Sequence, residues 1–288
     1  MIKTLQKGTR NALCVAIFAT LVGCAEHQAV TQPDTWASPA TVPQAAVPEP
    51  TEAEAKDLLL RMANYLAQAQ RFTVAMTDNY DTLQASGQKL EFSEKRNLTV
   101  SRPNGLRVEL EESHGEKHLF LYDGKDMTVF NPSQNVYAQT AKAGGIDEAV
   151  VYLLKDLHMR LPLAALLLSR FPAEIESRTQ ALDYVEKTTI HGVPCHHLAG
   201  RTETVDYQVW IQEGTQPLPL RIVLTYKYAE GQPQFRAQFF DWNLSPIVSD
   251  SKFAFIPPAE SRKIAFATQV TSIAPAAIAT PEAIGGKQ

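Results

Sequence analysis

IDEAVVYLLKDLHMRLPLAALLLSR, residues Ile146 to Arg170, is the most apolar stretch of the chain outside its N-terminus. Its first half repeats apolar residues at helical spacing (Ile146, Val150, Leu153, Leu154, Leu157). Pro162 then opens a second short piece, Leu163 to Leu168, that is apolar on nearly every side. A helix that is apolar all round must be covered. Asp147, Glu148, Lys155, Asp156, Arg160 and Pro162 interrupt it too often for a bilayer span, so the cover is protein. Nearly all of the remaining sequence has the period of β-strands, which predicts a curved sheet wrapped around this segment as around a plug.

Outward from the plug, Leu90 and Phe92, Leu98 and Val100, and Leu106, Val108 and Leu110 keep even positions apolar, the pattern of a sheet with one buried face. Asn104-Gly105 and Asp123-Gly124 mark turns. Glu94 and Arg96 share the apolar parity, so that strand has either a polar middle or a bulge. Beyond the plug, Ala181–Ile190 and Val193–Ala199 flank His191-Gly192, and Val205–Ile211 and Leu220–Tyr228 alternate cleanly. Gln234–Leu244 and Lys252–Ile256 are two further expected strands, and Ile264–Ala267 a last short one. Ahead of them all, Thr51-Glu52-Ala53-Glu54 has the form of a capping box. Leu58, Met62, Tyr65, Leu66 and Ala69 form one stripe behind it, an amphipathic helix laid on the sheet. The expectation is ten or eleven antiparallel strands, a leading helix and a helical insertion.

The N-terminus has a basic region (Lys3, Lys7, Arg10), an apolar run from Ala12 to Val22 too short to span, and then Leu21-Val22-Gly23-Cys24, which looks like the lipobox of bacterial lipoproteins. The expected layout is a signal peptide at 1–23, an acylated Cys24 opening a Pro- and Ala-rich disordered tether at 24–50, one domain at 51–268, and a disordered tail at 269–288. Several acyl chains, at about 0.8 kcal/mol per buried methylene, would make release from the membrane negligible. Ala25 rather than aspartate after the cysteine resembles the sorting signal for the outer membrane, facing the periplasm.

The chain carries a net charge of −4. Removing the three signal-peptide cations takes it to −7, which with no basic stripe excludes nucleic acid as a partner. Of three cysteines only Cys195 remains for the folded domain, so no intramolecular disulfide is available.

Four stretches resemble the periplasmic lipoprotein carriers LolA and LolB in order and spacing: Val100-Ser101-Arg102-Pro103-Asn104; Tyr122-Asp123-Gly124-Lys125; Phe130-Asn131-Pro132 with Tyr137; and Phe253-Ala254-Phe255-Ile256-Pro257-Pro258. The chain is also similar to a family of predicted periplasmic proteins defined only as a domain of unknown function. Leu161-Pro162-Leu163-Ala164, Gly192-Val193-Pro194-Cys195-His196-His197-Leu198 and Pro217-Leu218-Pro219 are typical of it. The carrier resemblance implies an α+β, mainly antiparallel fold: a strongly bent, unclosed β-barrel with a leading helix and a helical lid, its concave face binding acyl chains. It further implies that Arg102 latches the lid and that Leu106 stands where the carriers have a cavity-lining aromatic. Val108, Phe120, Leu153, Leu154, Leu157, Leu163, Leu166 and Leu167 are the other expected cavity residues. The apolar loop by which LolB inserts its cargo has no counterpart, since the expected hairpin tip is Ser113-His114-Gly115-Glu116.

His191, Cys195, His196 and His197 form the one cluster with metal-ligand chemistry. Cys195 and His197 share a strand face that His196 does not, which favours an ordinary hairpin with a buried thiol over a metal site. No nucleophile elbow, HExxH or phosphate loop is present. The expectation is a non-catalytic envelope lipoprotein without a cofactor, binding a lipid or acyl-bearing ligand. A structural or regulatory module with a self-filled cavity and a protein partner, and a hydrolase or metal protein centred on Cys195–His197, stay open beside it.

Overall fold

The structure is a computed structural model that describes residues 51–157, 159 and 161–266. The expected signal peptide, Cys24, tether and tail lie outside the described residues.

Helix α1 (Glu52–Gln68) begins as its sequence dictates. Thr51 Oγ1 accepts from Glu54 N at 3.3 Å while Thr51 N donates to Glu54 Oε2 at 2.6 Å, so two of the helix's orphan donors are satisfied reciprocally. Its buried face is Ala55, Leu58, Leu59, Met62, Ala63 and Leu66; the larger of these contribute roughly 1.5–3 kcal/mol each by leaving water.

Six strands follow as an antiparallel meander: β1 (Arg71–Leu83), β2 (Lys89–Ser101), β3 (Gly105–Glu112), β4 (Lys117–Tyr122), β5 (Asp126–Asn131) and β6 (Val136–Ala141). After the helical insertion comes a second meander: β7 (Ala181–Ile190), β8 (Val193–Arg201), β9 (Val205–Gln212), β10 (Pro219–Tyr226) and β11 (Gln234–Asn243). A two-residue β12 (Arg262–Lys263) completes one sheet of order β12-β6-β5-β4-β3-β2-β1-β11-β10-β9-β8-β7, open at both edges. The central β1–β11 pairing joins the meanders, and among the described residues only β12–β6 is parallel.

That order explains the plug. Strands β6 and β7 lie at opposite parts of the sheet, so residues 142–180 must cross its inner face between them. The crossing is made of α2 (Ile146–Val151), a π-helical turn (Tyr152–Asp156), a 3-10 turn (Ala164–Leu167) and α3 (Phe171–Arg178). The plug's start is fixed to the sheet: Ile146 N donates to Pro103 O at 2.8 Å and Tyr122 Oη to Gly144 O at 2.7 Å. Its end is tied back to its start, where Ser169 N and Oγ donate to the Asp147 carboxylate at 3.0 and 2.6 Å.

Two expectations are corrected. The stretch 252–256 is not a strand: Asp250–Lys252 forms a 3-10 turn and the residues after it have no ladder partners. Its aromatics pack on the sheet instead of pairing with it. Phe255 lies 5.6 Å from Phe130 and 5.1 Å from Tyr137, and the Phe253 ring occupies the space where a Cβ on Gly105 would sit. The last strand among the described residues is Arg262–Lys263, and 264–266, the described part of the expected strand from Ile264 to Ala267, lie outside it. Helix α3, with Pro172 in its first turn, had no place in the sequence reading.

Candidate functional site

Between the inner face of the sheet and the plug lies a cavity of about 130 Å³. Sheet residues reach it because alternation sends Phe72, Val74 and Met76 of β1 inward with Leu98 of β2. Leu106, Val108 and Phe120 stand on its sheet side. Leu153, Leu163, Leu166 and Leu167 face them from the plug. Leu154 and Leu157 are placed elsewhere, partly buried against the core. The π-helical turn is wider than an α-turn and slips the helical phase, so Met159 rather than Leu157 reaches the cavity.

Trp242 is a cavity residue that strict alternation hides. Its inward neighbours Phe235, Ala237 and Phe239 have odd numbers, but a bulge opposite Val74, with Asp241 at φ 53°, reverses the parity. The indole then packs on Phe72 (5.6 Å) and Phe239 (5.7 Å) and donates to Pro219 O at 3.1 Å.

A second, more open groove of about 550 Å³ lies among α1, α3, β9 and β10, with Phe171, Ile175, Tyr207 and Ile222 in its wall. Leu163 and Leu166 line both spaces and so form the partition between them. Leu163 is held at φ 65°, left-handed backbone that costs a branched side chain roughly 1–2 kcal/mol.

Arg102, at the turn after β2, reaches the backbone of two covering elements. Nε donates to Ala69 O at 3.1 Å, at the C-terminus of α1, and Nη1 to Leu167 O at 2.8 Å, in the plug. Asp147, in the first turn of α2, supplies the nearby negative charge.

The cavity's polar end is set by Arg96, its one charged wall residue among those described. Strand β2 pairs without a register shift to both neighbours, so Glu94 and Arg96 are a polar middle and not a bulge. Arg96 Nε lies 2.8 Å from Asp78 Oδ2, and its Nη2 lies 3.2 Å from Glu94 Oε1. Asp78 is fully buried. Burial pushes its carboxyl up to about 6, against the pull of Arg96 and with a further push from Glu94. With the folded value raised, the native protein takes up the proton before the unfolded chain does. Stability from this group is therefore greatest at low pH and is lost as pH rises through about 6. Asp78→Asn should remove that dependence. Measured by urea unfolding, the stability of the variant relative to the parent should rise by about 2 kcal/mol between about pH 4.5 and 7.5. A difference that does not change with pH would contradict the assignment.

The residues His191, Cys195, His196 and His197 do not converge. Cys195 is buried with Sγ 3.6 Å from Thr188 O, and burial pushes its thiol up, away from the reactive thiolate. His197 stacks on Trp210 at 4.0 Å and bonds Gln208 at 3.1 Å. His196 faces Tyr184 Oη at 3.0 Å, and His191 meets Gln238 at 2.6 Å.

Residues 55–267 match the family of predicted periplasmic proteins DUF2092, and the chain belongs to that family. Membership supports an envelope location. No curated protein matches the sequence. Among solved structures, the chain is similar to the Mycobacterium tuberculosis lipoprotein LppX, at 11% identity and a TM-score of 0.43 over 69% of this chain and 99% of that one. It is also similar to a LolA superfamily protein of Nitrosomonas europaea, at 10% and 0.35 over 70% and 97%. The Pseudomonas aeruginosa MucA/MucB complex is matched at 18% and 0.39, over 70% of this chain but only 61% of that one. Likenesses this distant concern the outline of the fold and assign no ligand.

Proposed function

We propose that this is a non-catalytic lipoprotein of the outer membrane, facing the periplasm and anchored through acylated Cys24, that binds a lipid or other apolar ligand between its sheet and its plug. The observation that carries this reading is the partition: an apolar cavity and a groove with both apolar and polar walls are separated by Leu163 and Leu166 of one short, strained segment.

Size decides how binding must occur. A dry cavity of roughly 150 Å³ accepts a molecule the size of benzene, so 130 Å³ holds only a small part of an acyl chain while the plug is in place. Moving Leu163 and Leu166 joins it to the 550 Å³ groove, and the joined space suits a long chain. The plug thus fills the site until a ligand displaces it, as a lid does.

Trp242 in the cavity wall makes this testable. Titrating the protein with fatty acid or phospholipid should change tryptophan fluorescence saturably in the parent and not in Trp242→Phe. An unchanged signal in the parent would count against a ligand there. For the anchor, Cys24→Ser should leave the chain uncleaved or released from membranes; a variant that is processed and still fractionates with the outer membrane contradicts it.

A further inference from the structure

The tip of the β3–β4 hairpin alternates Glu112, His114, Glu116 and His118. The register opposes Leu110 to His118 and Glu111 to Lys117, and Glu112 N donates to Glu116 O at 2.9 Å, so even-numbered residues of the two strands share a face. Single ligand atoms of Glu112, Glu116 and His118 lie within 4.8 Å of one another. His118 Nε2 is 3.1 Å from Glu112 Oε1 and 3.8 Å from Glu116 Oε1. His114 stands across from it, with Nδ1 3.5 Å from Glu112 Oε2 and Nε2 3.3 Å from Glu116 Oε2. Donors about 2.0 Å from a tetrahedral ion are about 3.3 Å apart. The spacings from His118 Nε2 to Oε1 of Glu112 and Glu116, 3.1 and 3.8 Å, bracket that value, while His114 meets the other oxygen of each carboxylate.

Two further observations separate this cluster from ordinary surface charge. His118 is 3% exposed, so one ligand is built into the sheet and does not swing free in solvent. Glu116 is oriented from outside the cluster by the buried Asn131, whose Nδ2 donates to Oε1 at 2.7 Å, with Gln134 Nε2 at 3.4 Å. This is the kind of support that fixes a ligating carboxylate. The charge balance also calls for a cation. Asp78, Glu94 and Glu112 are directly opposite one another across β1, β2 and β3, with Glu116 just beyond. Among the described residues, Arg96 is the one guanidinium paired within that row. Like charges opposite one another on neighbouring strands are destabilising.

We infer that Glu112, Glu116 and His118, with His114 as the exposed fourth ligand, bind a zinc-class divalent cation at the hairpin tip. Two imidazoles with two carboxylates suit zinc over calcium or magnesium, which take oxygen donors alone. The ion offsets the carboxylate row and pins the hairpin to β5 through Asn131. His114, 63% exposed, closes on the ion last and leaves it accessible for exchange.

The test uses the full-length, tag-free chain, stripped with chelator and dialysed against Zn²⁺ alone. One equivalent should bind and raise the unfolding temperature. His114→Ala and Glu116→Gln, both at the exposed tip, should each weaken binding at least tenfold while leaving metal-free unfolding close to that of the parent. Absence of saturable Zn²⁺ binding by the parent would overturn the inference. So would undiminished affinity in the double variant Glu112→Gln/Glu116→Gln, because the ion would then sit elsewhere.

Discussion

Replacing Arg102 with leucine is expected to free the plug. The guanidinium donates at once to the end of α1 and to the 3-10 turn of the plug, at Ala69 O and Leu167 O. Hydrogen bonds from a charged donor contribute about 1.5–3 kcal/mol each, and a carbonyl left orphaned in a partly buried site adds to the loss. Part of this returns through relief of guanidinium desolvation, the cause that lowers the pKa of Arg102. The net loss, about 3 kcal/mol, is expected in the free energy of opening the plug: amide exchange in 163–168 should accelerate well beyond that of β1 and β11, and bound ligand should leave at least tenfold faster. Uniform acceleration over the whole domain, or none in the plug, would show that Arg102 holds the fold generally and is no latch.

The second large effect is expected at Leu106. This residue is 2% exposed, sits opposite Val100 and Tyr122 in the sheet, and points into the 130 Å³ cavity. Leu106→Trp would grow into that space. Overpacking a core costs typically 1–3 kcal/mol, but a pre-existing void absorbs much of the added volume. The variant should therefore fold with less than about 2 kcal/mol of lost stability and lose ligand binding by tenfold or more. Leu224→Trp, in the wall of the second groove, should leave binding of short chains unchanged and impair long ones. If Leu106→Trp binds every ligand as the parent does, the cavity is not where the ligand lies.

Much of this architecture was legible because period-two alternation survives wherever one strand face is buried. The sequence of β9 and β10 shows it cleanly; β9 formed where alternation placed it, while β10 ends at Tyr226 and leaves Tyr228 exposed in the turn beyond. The leading helix was equally readable, since its cap and its stripe agree. Misreadings fall where local pattern and tertiary packing part. Phe253 and Phe255 alternate like strand residues, yet their rings pack on Gly105, Phe130 and Tyr137 while their backbone joins no strand ladder. A single bulge at Asp241 reverses the side on which Trp242 falls, and positive φ at an aspartate leaves little trace in a sequence. The π-helical turn does the same to the plug, moving Leu157 aside and bringing in Met159.

At the candidate site, apolar wall residues followed from pattern, while the polar groups did not. Arg96 interrupts an apolar stripe and is visible as an anomaly, but the partner that buries with it, Asp78, lies on another strand and is identified only by register. The Glu112–His118 alternation was present in the sequence as well. It is inconspicuous because metal motifs are usually sought on helices or as cysteine pairs, and a four-residue alternation across a hairpin needs the turn's position before its convergence can be seen. The cluster that did stand out, Cys195 with its histidines, is divided between both faces of β8 and the turn before it, and each member is engaged by a different neighbour.

The measurement that bears most directly on the central claim is native mass spectrometry, with lipid extraction, of the chain purified from the periplasm as its Cys24→Ser form. Co-purifying lipid at close to one molecule per chain, reduced in Leu106→Trp and exchanged faster in Arg102→Leu, is the predicted result. A bare protein mass that stays bare after incubation with fatty acids and phospholipids would contradict ligand binding and leave the plug as a permanent part of the core.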